Sequence, residues 1–511
     1  MEKSEENNFD LVYHTLKDIG CCQMCCLRFI GEKTSYSYLN VEEIIKKREI
    51  ILNEKAITGN KIQKDNACAA CLGLIQKPYC DIIVERVLKD LEEADYDCDT
   101  FNIALTLPVS FQLRAHSMFL YLQSKYPKFS NFHFPLGVVT VGVKDVWKWV
   151  FTPVIAKLQN KKFSTSSDLT ITVALKYADE EKECISLFSM FPDKFSRTKN
   201  RKNQGSFDNF SRKSAETSLK IVDSDKFSEC YAVPPVIPDS NIVYDSITML
   251  HSSVYIAGRY NKLSRVLPQT PWLINGERKL EGSVEELISG PMKRIIKSQD
   301  TRFAASGRED VDVRTLGRGR PFYVEHIDPH RVQIDFGTMR QLEDDINKEA
   351  NGEVFVRDLQ FIDKSALEML KVGEETKTKE YRALCFLLDP KERDNCNNRL
   401  KDLSSQFPVK LQQATPIRVL HRRPVAVRER TIHWLKTTLL REDKDVFTIS
   451  LNTQAGTYIK EFIHGDFGRT KPCLGELLGG IDVDILALDV EDVLLDWPPE
   501  VSSKKEQLSE S

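Results

Sequence analysis

Residues 306–323 read SGREDVDVRTLGRGRPFY, and their interpretation decides what surrounds them. Asp310 and Asp312 stand two residues apart among Arg308, Arg314, Arg318 and Arg320. Taken alone, such a stretch is a charged, glycine-containing turn facing water. The other reading is a carboxylate held among cations in a site, because a nearby positive charge keeps an acid ionised where burial would neutralise it. Composition favours the turn; the flanking segments and the rest of the chain weigh against it.

Working outward, RPFYVEHI (320–327), VYIAGRY (254–260), VFVRDLQFI (354–362) and VFTISLN (446–452) read as strands. SVEELISGPMKRIIKS places Ser283 at a cap position with glutamates in the first turn, so a helix should follow. From about residue 245 this mixture predicts an α+β domain of catalytic size. Earlier in the chain, DIIVERVLKDLEEA (81–94) and VKDVWKWVFTP have helical spacing, the second limited or kinked by Pro153. DLTITVALKY alternates as a strand does. Residues 192–221 are polar and basic without periodicity, and predict a flexible loop. The Pro-rich YAVPPVIPDS (231–240) then marks a boundary, giving expected domains at 1–235 and 241–500 with a polar tail at 501–511.

A chain of 511 residues exceeds one ordinary core, and 41% hydrophobic with 29% charged residues fits globular domains. No apolar run approaches the ~18 residues that cross a bilayer, so no membrane partner is expected. The acidic, polar start MEKSEENNFD resembles neither a secretory signal nor a transit peptide. An intracellular protein is expected, nuclear or cytoplasmic, with the mitochondrion left open. A net charge of −3 carries no global nucleic-acid signature, so any RNA contact must come from local basic surface.

The thirteen cysteines include two C-x-x-C pairs, Cys22/Cys25 and Cys68/Cys71. Two such pairs can supply four thiolates to a tetrahedral zinc ion, and with four protein ligands that ion is structural. The 42 intervening residues exceed the usual spacing, and Cys21 and Cys26 leave the register open by one residue. A redox pair needs only one of these motifs and finds no support in the flanks.

Two further stretches carry chemistry. KTKEYRALCF contains Tyr381, and FTISLNTQAGTYIKEFIHGDFGRTKP reads as strand, glycine turn and helix, with Lys460 and His464 on one face. Basic residues gather in TPIRVLHRRPVAVRERTIHWLK, including Arg418, Arg422 and Arg423, and again at Arg259, Lys262 and Arg265. Both groups are candidates for phosphate contact.

SGREDVDV resembles the SGRTDxGV box of the pseudouridine synthases, and AGTYIK resembles their GTYIR motif. Together with VYIAGRYNKLSRVLPQTPWLINGERKLEGSVEELI and AGTYIKEFIHGDFGRTKP, the chain resembles the archaeal and eukaryotic tRNA pseudouridine synthases of the Pus-ten type. The resemblance implies an antiparallel-sheet core with flanking helices, preceded by an α/β THUMP-containing region with a four-cysteine zinc site. It implies Asp310 as the catalytic carboxylate, Lys460 as its cation and Tyr381 stacked on the uracil. Arg308 would hold the flipped state of the RNA, and Leu477 would close the pocket. The implied substrate is uridine 54, 55 or both in the tRNA T-loop, handled by a monomer, with other structured RNAs as further partners. Neither an organic cofactor nor a catalytic metal is implied. Glu309 replaces the box threonine, Val311–Asp312 its following pair, and Lys460 the terminal arginine. The competing expectations are a non-catalytic RNA-binding or processing factor using the same cleft, and a zinc-dependent RNA-modifying enzyme. The first would gain nothing from a carboxylate that repels phosphate, and the second lacks an H-x-E motif beside an open zinc site.

Overall fold

In a computed structural model of the chain, residues 11–47, 66–127, 141–195, 212–421, 423–440 and 445–501 are described. The chain divides into compact units at His251/Ser252. The division lies beyond the Pro-rich stretch expected to mark it, because one more strand, Val243–His251, pairs antiparallel with Leu169–Lys176 of the first unit.

The first unit holds a sheet of β1 (Thr100–Thr106), β2 (Lys162–Phe163), β3 (Leu169–Lys176) and β4 (Val243–His251), in the order β2-β1-β3-β4. β1 runs parallel to β2 and β3. Helices Lys77–Ala94, Ser110–Lys125 and Val143–Leu158 accompany it. The alternation of DLTITVALKY becomes β3, with its odd-numbered apolar residues buried. Pro153 does not end its helix, which continues to Leu158. Of the expected loop at 192–221, residues 196–211 lie outside the described residues. The rest corrects the expectation: Arg212–Leu219 is a helix that buries Ala215 and Leu219 against Leu187 and Phe227.

Among the described residues the second unit carries one sheet of ten strands. They are β5 (Val254–Lys262), β8 (Ser298–Ala305), β9 (Arg314–Pro329), β10 (Val354–Ile362), β11 (Lys379–Leu387), β12 (Val409–Ala414), β13 (Val427–Leu439), β14 (Val446–Thr453), β15 (Thr470–Lys471) and β16 (Val483–Val493). A separate hairpin joins β6 (Leu273–Ile274) to β7 (Glu277–Arg278). The order is β10-β5-β9-β16-β11-β14-β13-β12-β15, with β8 paired to β9. Pairing is antiparallel except at β9 and β16, where Arg314 and Thr315 run parallel to Asp489 and Val490. Helices Val284–Ile296 and Phe336–Glu349 bury Ile288, Met292, Leu342 and Ile346 against Ile256, Phe322 and Val324. The other half closes over Leu435, Ile449, Leu451, Phe462 and Leu488. This is the expected α+β class, with Ser283 capping its helix through the Glu286 N–H. Among the described residues no helix is long and apolar enough to cross a membrane.

Candidate active site

Residues 306–313 connect β8 to β9 beside the parallel β9–β16 pair, near the middle of the sheet. Gly307 has φ +90°, and a Cβ there would lie 2.7 Å from Lys379 Nζ and 3.0 Å from Arg320 Nη1. The positive φ favours glycine there, since an L side chain would be strained in it. Glu309 points inward and is buried with Arg320, whose Nε lies 2.8 Å from its carboxylate. The Tyr260 hydroxyl donates to Glu309 at 2.9 Å, and Gln269 Nε2 donates to Gly307 O at 3.0 Å. The glutamate standing where the general box has threonine is thus the root of the loop.

The loop surrounds a cavity of about 390 Å³ lined by Asp310, Tyr381, Arg418, Tyr458, Lys460 and Leu488, among others. Asp310 is one-third exposed, and Arg418 Nη1 reaches its two oxygens at 3.0 and 2.8 Å. Lys460 Nζ stands 3.5 Å from Asp310 but 2.7 Å from Asp312. The expected Lys460–Asp310 pair is therefore the weaker contact, and Arg418 is the closer cation. Arg418 is oriented from behind by Glu461, whose buried carboxylate accepts from Nε at 2.6 Å. Burial pushes the Asp312 carboxyl up, but the Lys460 hydrogen bond and charge hold it below its usual range. Asp312 is the more exposed of the two acids and does not line the cavity. Tyr381 lies on β11 between Leu451 and Val490, and burial raises its hydroxyl above the ordinary tyrosine value.

Other expected residues fall elsewhere. Leu477 packs at the edge of the core and does not line the cavity; Leu488 and Val490 of β16 supply its apolar wall. Arg308 is exposed and, like Arg423, lines the cavity. Arg422 lies outside the described residues. Arg259 and Lys262 are corrections, since both are buried and cannot present charge to RNA. Arg259 donates to the carbonyls of Gly319 and Leu495. Lys262 Nζ donates to the carbonyls of Val311 at 2.6 Å, Leu267 at 2.9 Å and Asp310 at 3.3 Å. Arg265 ties the same loop to β16, donating to Asp312 O at 2.9 Å and pairing with Asp489 at 2.6 Å. Of the GRYNKLSR cations, Lys262 and Arg265 thus hold the 306–313 loop, and Arg259 holds backbone at Gly319 and Leu495.

Burial lowers the Lys262 ammonium from 10.5 to about 8, against the opposing pull of Glu309, Asp312 and Asp310. Between those values the unfolded chain binds the proton and the folded chain releases it, so folding is favoured as pH rises. The resulting stability is complete above 10.5 and lost as pH falls through about 8. The stability of wild type relative to Lys262→Met should therefore increase from pH 8 to pH 10, measured by denaturant titration at each pH. A flat or falling difference would contradict the buried, shifted ammonium.

In the first unit, Cys22, Cys25, Cys68 and Cys71 place their sulfurs within 4.8 Å of one another. Tetrahedral ligands at ~2.3 Å from a zinc ion lie roughly 3.8 Å apart, and Cys22 Sγ to Cys71 Sγ is 3.8 Å. Of the registers left open, this grouping is the one with Cys22 and Cys25. Cys26 turns away, toward Cys21 O. Backbone N–H groups of Cys22 and Ala70 donate to Cys68 Sγ, at 3.2 and 3.4 Å. The buried Arg28 guanidinium donates to Cys25 Sγ at 3.4 Å and to Val141 O at 2.9 Å. A donor set of this kind suits thiolates around a cation.

Comparison with known proteins agrees with both units. Residues 255–494 match the family model described as Pus10, C-terminal, and residues 68–249 match Eukaryotic Pus10, N-terminal. The structural division falls between the two matches. A Xenopus laevis protein is 36% identical over 97% of this chain and 98% of its own length. A Homo sapiens protein is 39% identical over 86% of this chain and 81% of its own. A protein of the archaeon Methanothrix thermoacetophila is 38% identical over 51% of this chain and 58% of its own. All three are named tRNA pseudouridine synthase Pus10. A carboxylate-bearing cavity walled by cations, a tyrosine and apolar strand residues is thus found in a chain whose relatives are pseudouridine synthases. Within that class, the chain belongs to the Pus10 family.

Proposed function

We propose that this chain isomerises uridine to pseudouridine in the T-loop of tRNA, at position 54, 55 or both, with Asp310 acting on the flipped nucleotide. The observation that carries the reading is Asp310 itself, partly exposed to the cavity and held at 2.8 Å by Arg418 and 3.5 Å by Lys460. In the reaction the N1–C1′ bond breaks and a C5–C1′ bond forms; C5 loses a proton and N1 gains one. No electrons are gained or lost overall, so the chemistry calls for no redox cofactor. The Asp310 carboxylate supplies the nucleophile or base, and Arg418 and Lys460 stand beside it at 2.8 and 3.5 Å. The cavity volume is within the range of small-ligand sites. Tyr381 offers a ring for the uracil and a hydroxyl proton, while Leu488 and Val490 exclude water from the opposite wall. Extracting the base costs a few kcal/mol, which stacking and phosphate contacts offset. Arg308 and Arg423 line the cavity in positions suited to those phosphates. The test is an unmodified tRNA transcript incubated with the enzyme and mapped for pseudouridine by carbodiimide-dependent reverse-transcription stops. Stops at T-loop uridines are expected; a transcript that binds but yields no such stops would overturn the assignment.

The first unit, an α/β fold, serves in this reading as the THUMP-containing region that docks the tRNA body. Cys22, Cys25, Cys68 and Cys71 would hold a structural zinc ion. Four thiolates around a dication leave net negative charge in a buried place, and Arg28 offsets part of it. Metal analysis should find zinc at about one ion per chain. A strong chelator, or Cys25→Ala, should lower Tm by on the order of 10 °C. Metal-free protein with an unchanged Tm would contradict the site.

A further inference from the structure

After the helix Ile459–His464 the chain makes a turn whose backbone is unusual for its sequence. Gly465, Asp466, Phe467 and Gly468 all have positive φ, at +78°, +47°, +57° and +82°. Glycine adopts such angles freely, whereas a bulky L-residue there is strained. Phe467 is also 96% exposed, so its ring contributes almost nothing to the core. Stability alone would favour a third glycine, and the phenylalanine needs another reason.

The turn is firmly held. Ile417 N donates to Asp466 Oδ2 at 3.3 Å, Arg469 Nη2 to Thr415 O at 2.7 Å, and Ala414 N to Arg469 O at 2.9 Å. The segment bound in this way delivers Arg418 to Asp310. The helix leading into the turn carries Lys460 and rises only ~9 Å over its length. Phe467 therefore projects from a hydrogen-bonded turn that directly follows the helix bearing the cavity residues Ile459 and Lys460. Ile417 and Leu420 are exposed on the attached segment, and Arg423 lines the cavity.

Resting on the activity proposed above, we infer that Phe467 is a stacking platform for an unpaired nucleobase flanking the target uridine. When that uridine leaves the stack, its neighbour loses a stacking partner, and a fixed aromatic ring can replace it. Arg308 and Arg423, which line the cavity, favour RNA over a protein partner for this surface, since such cations attract phosphate. Phe467 positions substrate and takes no part in bond making.

The test compares wild type with Phe467→Ala, Phe467→Trp and Phe467→Gly on a tRNA transcript, measuring Kd, KM, kcat and Tm. The Ala and Gly variants should bind roughly tenfold to a hundredfold more weakly, with the loss appearing in KM more than in kcat. Phe467→Trp should retain binding. Phe467→Gly should melt no lower than wild type, because glycine accepts the backbone without strain. Ala and Gly variants that bind and turn over like wild type would overturn the inference and assign the ring to a protein partner or to nothing. An inactive wild type whose RNA affinity still depends on Phe467 would instead remove the proposed reaction and leave the platform standing.

Discussion

Asp310→Asn should abolish pseudouridine formation, by at least about a thousandfold, while the variant binds tRNA as tightly as wild type or more so. The substitution keeps size and shape and removes one negative charge from a cavity that must admit a polyanion. Arg418 and Lys460, freed from neutralising it, then add to phosphate attraction. Asp312→Asn is the informative partner. Asp312 holds Lys460 at 2.7 Å but does not line the cavity, so its loss should cost about tenfold or less. Single-turnover rates on one transcript separate the two. Equal losses would mean that the pair acts as a unit; a reversed order would move the catalytic role to Asp312.

The second large effect concerns stability. Arg320→Met leaves the Glu309 carboxylate buried without its cation and should cost about 3–5 kcal/mol. In a unit of this size Tm should fall by on the order of 10 °C. The double variant Glu309→Gln with Arg320→Met removes both charges, while Tyr260 and Gln269 can still hydrogen-bond the amide. It should recover much of that loss, because an absent pair is cheaper than a broken one. Both variants should be poor enzymes, since Arg320 Nη1 also holds Ser306 O at 2.7 Å at the base of the loop that carries Asp310. A single variant as stable as wild type would show that the pair is not what anchors the loop.

What the sequence made legible was local. Strands such as VYIAGRY and VFTISLN carry their apolar residues in runs, and the paired C-x-x-C motifs announce their own ligand set. Asp310 and Lys460 stood out through motif resemblance, and the cavity contains both. What stayed hidden depends on distance along the chain. Arg418 meets Asp310 across 108 residues, and nothing in its basic neighbourhood distinguishes it from Arg428 or Arg430. Glu461, next to Lys460, is hidden in the sequence because a buried acid on a short helix looks like surface charge until its partner Arg418 is known. Arg259 and Lys262 show the converse error: on β5, a central strand of its half of the sheet, cations can serve backbone carbonyls instead of phosphates. Leu477 has the right chemistry for a pocket lid, but β16 already brings Leu488 and Val490 there. The division falls beyond the Pro-rich stretch because such a stretch signals a break in secondary structure, which need not separate two cores.

If uridine is isomerised at Asp310, release of the C5 proton reports it directly. With tRNA transcribed from uridine tritiated at C5, every conversion exchanges the C5–H bond for C5–C1′ and sends tritium to solvent. Wild type should release tritium in proportion to the T-loop uridines modified, and Asp310→Asn should bind the same RNA and release none. Release that persists in Asp310→Asn, or its absence from a wild type that binds the RNA, would contradict isomerisation at Asp310.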